Sequence, residues 1–192
     1  MRLKMLGCAL LILCCGIGAV AAGDESEDYK VLATNKTSTM EREMNESAAV
    51  GFRFEATMGG ESAYGGKEVI VVMSKPRSSD AGQYSYRLLA TNKTGTMQKE
   101  LQTAGYEGYE YKGQTVFQTA YGGKEVVVIL ERKSGSKRRI EYKLPATTKT
   151  TTREKGLPQA AERGDLLAGL TVPETAFGGK EVVCILRKEV TP

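Results

Sequence analysis

Ala90-Thr91-Asn92-Lys93-Thr94 and, further along, Gly122-Gly123-Lys124-Glu125-Val126 are two phrases that the chain writes three times. The first copy has them as Ala33–Thr37 and Gly65–Val69; the third has Ala146–Thr150, with Thr148 in place of the asparagine, and Gly178–Val182. Both phrases recur 57 and then 56 residues apart, so the copies align without internal gaps. Repetition at a fixed period sets the architecture before any single motif does.

The second copy is the cleanest. Tyr86-Arg-Leu-Leu-Ala-Thr91 reads as a strand. Apolar residues at helical spacing follow, Met97, Leu101 and Gly105, matched in the first copy by Met40, Met44 and Ala48. Ser38 with Glu41, and Thr151 with Glu154, have the spacing of a capping box. Gly51, Gly108 and Gly164 fall about three turns on, where a left-handed residue ends a helix without steric cost. Phe52-Arg-Phe-Glu55 and Tyr109-Glu-Tyr-Lys112 then alternate with the period of a half-buried strand. Glu68-Val-Ile-Val-Val-Met73 and Glu125-Val-Val-Val-Ile-Leu130 are nearly apolar throughout, which suits the middle of a sheet.

The order strand, helix, strand, strand, with a right-handed crossover, predicts an α+β protein of three tandem βαββ repeats. Each repeat is a three-stranded sheet of order 1-3-2 with one helix on one face. The boundaries are 1–22 for a signal peptide, then 29–75, 84–133 and a degenerate 140–188. Units this small are marginal alone, so the copies are expected to pack together or to oligomerise. The alternative is a set of beads joined by residues 76–83 and the basic linker. In the third copy Pro145 enters the first strand, and Gly156 and Pro158 predict a short, kinked or restarted helix.

Tyr86-Arg-Leu, Leu101-x-x-x-Gly105-x-x-Gly108-Tyr109-Glu110 and Val126-Val-Val-Ile-Leu-Glu-Arg132 together resemble a short bacterial strand-helix-strand-strand domain family of unknown function. The first copy matches through Ala48 and Phe52-Arg53, and the third keeps only Gly164. The resemblance implies the same fold and brings no catalytic residue with it.

At the N-terminus, Arg2 and Lys4 precede an apolar run from Met5 to Val20, and Ala19, Ala21 and Ala22 follow as an A-x-A exit. This pattern predicts a secretory signal cleaved after Ala21 or Ala22, and hence a secreted or periplasmic protein. An uncleaved anchor is the alternative and would be the only membrane attachment. Three of the four cysteines lie in that segment; Cys184 takes the slot of Val71 and Val128, which predicts a buried hydrophobe. Beyond the leader, 25 Lys and Arg face 23 Asp and Glu, a balance that gives no global attraction to nucleic acid. Arg132, Lys133, Lys137, Arg138 and Arg139 form the one basic cluster. Asn35, Asn45 and Asn92 begin glycosylation triplets that are inert in a bacterial host.

The chain has no histidine, which excludes Ser-His-Asp and Cys-His catalysis and histidine metal sites. No enzyme activity and no cofactor are expected. Residual carboxylate or lysine chemistry is formally open. Tyr106, Tyr109, Tyr111 and Phe117 are expected in the core and on the sheet face, and Tyr64, Tyr121 and Phe177 at partly exposed turns.

The 1-3-2 order brings the end of each first strand, the start of each third strand and the helix N-terminus to one rim. Lys36, Lys67 and Glu68, then Lys93, Lys124 and Glu125, then Lys149, Lys180 and Glu181, are the candidate ligand-binding residues there. A helix N-terminus flanked by lysines favours an anion. A purely structural reading takes Gly-Gly as turn chemistry and the charges as exposed ion pairs. The sequence thus points to a binding or scaffolding module for an unknown protein, or to a binder of a small anion or polyanion.

Overall fold

The computed structural model describes residues 28–61, 67–76, 82–91, 93–118, 124–147, 150–171 and 182–190. The segment expected to be a signal peptide, the three Gly-Gly turns with Tyr64, Tyr121 and Phe177, and part of the 76–83 linker lie outside them.

The first module runs β1 (Asp28–Thr34), α1 (Thr37–Ala49), β2 (Arg53–Glu61) and β3 (Lys67–Lys75). The second runs β4 (Tyr84–Thr91), α2 (Thr94–Tyr106), β5 (Glu110–Gln118) and β6 (Lys124–Lys133). The third runs β7 (Arg139–Lys143), β8 (Ala146–Thr147), α3 (Thr150–Glu162), β9 (Leu166–Thr171) and β10 (Val182–Val190). Pro145 splits its first strand in two, and both pieces pair with β10. The sheet orders are β1-β3-β2 and β4-β6-β5, with β7 and β8 beside β10 and β9 on its other side. Every pairing is antiparallel, so the two outer strands of each sheet run parallel, as a right-handed crossover requires.

The apolar third strand is central in every sheet; its helix-side face is covered in all three modules, and its other face is covered in the second and third. Val69, Val71 and Met73 meet Met40, Met44 and Ala48 of α1. The opposite face of the next central strand, Val127 and Ile129, is fully buried in the same cluster, together with Tyr86 and Leu88 of β4. The second core repeats this plan with Met97, Leu101 and Ala104 beneath Ile140, Tyr142 and Ile185. The three sheets therefore stack in chain order, α1 and α2 each lying between their own sheet and the edge strand of the next, while β2 packs directly on β5 and β5 on β9. The cores lie at the seams between modules, and the bead arrangement does not occur.

Gly51, Gly108 and Gly164 each take a positive φ (97°, 87° and 80°), which explains the sharp exit from every helix. Each following strand carries one bulge, at Glu55, Lys112 and Ala168.

Three local expectations are corrected. The helices begin at Thr37 and Thr94, with Lys36 and Lys93 as N-caps, and no side chain caps either one. The Ser38–Glu41 capping box does not form, because the Glu41 carboxylate is drawn to a backbone N–H of the next module. The third helix is neither shortened nor restarted: α3 has the same 13 residues as the other two, with Pro158 inside it and exposed. Tyr106 is exposed at the end of α2, whereas Tyr109 is buried and Tyr111 half-buried.

Cys184 is 1% exposed, between Ala160 and Leu186. Cys184→Val is expected to change stability by less than about 1.5 kcal/mol, and the native thiol is expected to react with a thiol reagent only on unfolding. Rapid labelling of the folded protein would contradict this placement.

Candidate functional site

The rim anticipated from the sequence is assembled by topology. Thr34 pairs with Val69 and Thr91 with Val126, so each first strand ends where its third strand begins. Lys36 and Lys93 are exposed there, each with its backbone N–H bonded to a threonine hydroxyl two residues back, Thr34 and Thr91, at 3.2 Å. Glu68 and Glu125 are half-buried at the same sheet ends. Lys67 and Lys124 open their strands, but their side chains lie outside the described set, as do Lys149, Lys180 and Glu181 altogether.

The more elaborate chemistry lies at the seams, and it uses residues that the sequence reading did not single out. The outer edge of β4 is capped by α1. Asn45 accepts from the Tyr86 N–H (2.9 Å) and donates to the Tyr86 carbonyl (2.9 Å), and Glu41 accepts from the Leu88 N–H (2.8 Å). One module later α2 does the same to β7. Gln102 accepts from the Tyr142 N–H (3.0 Å), while Gln98 donates to the Tyr142 carbonyl (2.7 Å) and accepts from the Leu144 N–H (2.8 Å). Polar side chains one helical turn apart thus substitute for a fourth strand, and the edge cannot pair with another chain.

Beneath each clamp sits a tyrosine. The Tyr86 hydroxyl accepts from the Phe54 N–H (2.8 Å) and donates to Glu131 (2.9 Å); that of Tyr142 accepts from the Tyr111 N–H (2.7 Å) and donates to the Tyr109 carbonyl (3.2 Å). Burial raises both phenols above their ordinary value, with Glu131 adding to the effect at Tyr86, and Tyr142 reaches about 12.

Each seam also holds an ion pair, with opposite polarity. At the first, the Arg53 guanidinium chelates Glu131 at 2.8 and 3.1 Å, and Lys112 approaches the same carboxylate at 3.2 Å. Glu131 is only 4% exposed. Burial would raise its carboxyl, but the bonds from Arg53, the charge of Lys112 and the Tyr86 hydroxyl outweigh that and hold it below the usual range. At the second seam the corresponding positions are Glu110 and Arg187, which pair with each other. The bulge residue is Ala168 where the first seam has Lys112; the further cations near this pair, Lys112 and Arg138, lie against Glu110 at 3.7 and 3.9 Å.

A third substitution series runs along the helix exits. Lys30 and Arg87 lie over the rings of Phe52 and Tyr109, at 6.0 and 4.5 Å. In the third module the same two positions are Lys143 and Asp165, joined as an ion pair at 3.1 Å with Asp165 buried. Two residues of the basic linker are also committed, Arg138 pairing with Glu189 at 2.6 Å and Arg132 lying over Tyr109 at 4.8 Å, while Lys133, Lys137 and Arg139 are exposed. A cavity of about 100 Å³ lies there, lined by Arg138, Ile140, Leu166, Arg187 and Glu189, and both of its arginines already face carboxylates.

Removing one clamp tests its contribution. Gln98→Ala with Gln102→Ala deletes three hydrogen bonds to the edge of β7 and is expected to cost about 2–3 kcal/mol, read by urea unfolding. A loss below about 0.5 kcal/mol would show that the edge is satisfied in another way.

What the stack leaves uncovered is its two ends. On the outer face of the first sheet, Val31 is 65% and Met58 58% exposed, beside Tyr29 at 66%. On the helix-side face of the last sheet, Leu167 and Leu170 are 50% and 53% exposed. No protein-family model, curated protein or solved structure matches this chain.

Proposed function

We propose that the protein is a non-enzymatic, extracytoplasmic binding or scaffolding module that works through the two terminal faces of its stack, and that its units are related to the short bacterial strand-helix-strand-strand family. The observation that carries this reading is the contrast between inner and outer faces. Val127, Ile129, Val183 and Ile185 are fully buried at the seams, whereas the terminal faces present Val31 and Met58 at one end and Leu167 and Leu170 at the other. Contiguous exposed apolar residues on a stable fold mark contact surfaces. Absence of histidine and burial of the one cysteine outside the leader support the non-enzymatic part.

Photo-crosslinking in the native envelope tests the reading. A photoreactive residue at position 31 or 170 is expected to give discrete adducts, and one at exposed Lys99 on the flank of α2 none. Adducts that arise equally from the flank, or from no position, would overturn it.

Exposure of Lys36 and Lys93 at helix starts favours a second reading, capture of a small anion at the rim. Inorganic phosphate should then shift the amide resonances of residues 36–38 and 93–95, and Lys36→Ala with Lys93→Ala should abolish the shifts. Unmoved resonances in the unsubstituted protein would remove this reading.

A further inference from the structure

We infer that the two ends of the stack are complementary to each other and that copies of the protein associate head to tail, the last sheet of one copy against the first sheet of the next. This rests on the terminal-face reading and names its occupant as a second copy of this chain.

The inner seams define what each face presents. On the leading face of a module the elements are a tyrosine on the first strand, two apolar residues on the central strand and a small residue on the second strand. On the trailing face they are a helix and a large side chain that seats on that small residue. Phe54 sits against Gly113, its ring 3.1 Å from where a Cβ would be, and Tyr111 sits closer still against Gly169, with a ring carbon at 2.7 Å. A Cβ would overlap the Tyr111 ring at Gly169 and press tightly on the Phe54 ring at Gly113, so both seams favour a large side chain seated on a small one.

The free ends keep this match with altered sizes. The leading face of the first module has Tyr29 at the tyrosine position, Val72 and Ile70 half-buried on its central strand, and Ala56 where Gly113 and Gly169 stand. The trailing face of the third module has Leu167 where Phe54 and Tyr111 stand. An alanine facing a leucine conserves the combined bulk of a glycine facing an aromatic ring, so the two changes compensate one another across a contact that only a second copy makes.

The chain positions aligned with the inner ion pairs are Ser74 and Leu166, both neutral; Ser74 donates to the exposed Glu55 carboxylate at 2.6 Å, and Leu166 lies opposite Arg187 on β10. Had either retained its charge, stacking would bury an unpaired ion. The clamp is reduced: Glu154 occupies the position of Glu41 and Gln98, but Pro158 replaces the amide of Asn45 and Gln102. The contact therefore lacks the ion pair and one amide that the inner seams possess, which makes it weaker than they are and reversible. A head-to-tail contact is heterologous, so it propagates unless one end is blocked.

Sedimentation velocity on the purified protein and two variants tests this. Val31→Glu blocks only the leading face and Leu167→Glu only the trailing face; both residues are exposed, and unchanged circular dichroism and Tm will show that the fold is intact. The unsubstituted protein is expected to show a weight-average mass that rises with concentration, each variant to remain a monomer, and an equimolar mixture of the two variants to form a dimer and nothing larger, since each supplies the face the other lacks. A mixture that stays monomeric, a single variant that still dimerises, or an unsubstituted protein that is monomeric at every concentration would overturn the inference. The crosslinking separates this failure from that of the broader reading: adducts of two identical chains support stacking, whereas adducts with a different protein leave the terminal faces as contact surfaces and overturn the self-association.

Discussion

Replacing Glu131 by alanine is expected to cost about 3 kcal/mol and to loosen the first seam as a unit. The carboxylate is the acceptor on which Arg53, Lys112 and the Tyr86 hydroxyl converge. Its removal leaves two cations side by side and a buried phenol without its acceptor. Arg53 is partly exposed and rehydrates, which keeps the cost below that of opening a fully buried pair. Reversal of the pair gives a sharper test. Glu131→Arg with Arg53→Glu copies the polarity of the second seam, but Lys112 would then face the introduced guanidinium. The reversed pair is expected to recover most of the lost stability only when Lys112→Ala is added, matching Ala168. Equal recovery with and without that third change would show that Lys112 does not share the site.

The same carboxylate sets an acid limit. Its folded value lies below the unfolded one, so its contribution is complete above the ordinary carboxylate range and is lost as the pH falls through that range to the lower folded value. Tyr142 sets the opposite limit: its folded value is raised from 10 to about 12, so its contribution is complete below pH 10 and is lost as the pH rises toward 12. Urea midpoints measured across both windows should fall at each end, and Glu131→Gln should flatten the acid limb and, through the loss of its charge beside Tyr86, lessen the alkaline one.

Gly105→Ala is expected to be the most damaging glycine-to-alanine change among the described residues. Alanine in a helix is ordinarily worth about 0.5–1 kcal/mol over glycine. At Gly105, however, a Cβ would lie 2.2 Å from the Ile140 carbonyl and 2.9 Å from the Tyr142 ring. Both obstacles belong to the strand that α2 clamps, so relief requires the third module to move away from the second. A loss of about 3 kcal/mol or more is expected, with earlier exchange of amides in β7 and β10 than in β1 and β3. Gly156→Ala is the control: nothing lies within 4 Å of a Cβ there, and the helical gain of about 0.5–1 kcal/mol should appear in full. If Gly105→Ala were also stabilising, the close approach of α2 to β7 would be wrong.

Repetition explains why the fold was readable. Any one copy is ambiguous, but three copies share the glycine after the helix, and the first two add the alternation after that glycine and the apolar third strand; together these dictate the 1-3-2 order. The core faces of α1 and α2 were legible too, because Met40, Met44, Met97 and Leu101 recur at helical spacing. Pro158 misled because the rule for helix interiors takes no account of 13-residue helices that the array repeats, nor of an exposed flank. Glu41 misled because its capping role is local, whereas its observed partner, the Leu88 N–H, lies 47 residues away. Asn45, Gln98 and Gln102 looked like ordinary exposed helix positions, since periodicity tells which face is polar and not what the polar face meets.

One signal of the seams was present in the aligned copies. Arg53 becomes Glu110 while Glu131 becomes Arg187, a paired reversal that makes sense only if residues of successive copies touch. The rim was read from topology alone, and topology does assemble it. Its ligand is not written in the sequence, because a lysine beside a helix start has the same residue pattern whether it binds an anion or simply stays in water.

Amide hydrogen exchange at Tyr86, Leu88, Tyr142 and Leu144 tests most directly that modules close one another's edges. These four amides lie along the outer edges of their sheets and bond to side chains of the preceding helix. They are expected to be protected to the same degree as amides of β6, and to lose that protection selectively in the Gln98→Ala and Gln102→Ala double variant at residues 142 and 144. Exchange of all four at the rate of open strand edges would contradict the stacked arrangement and the functional account built on its two ends.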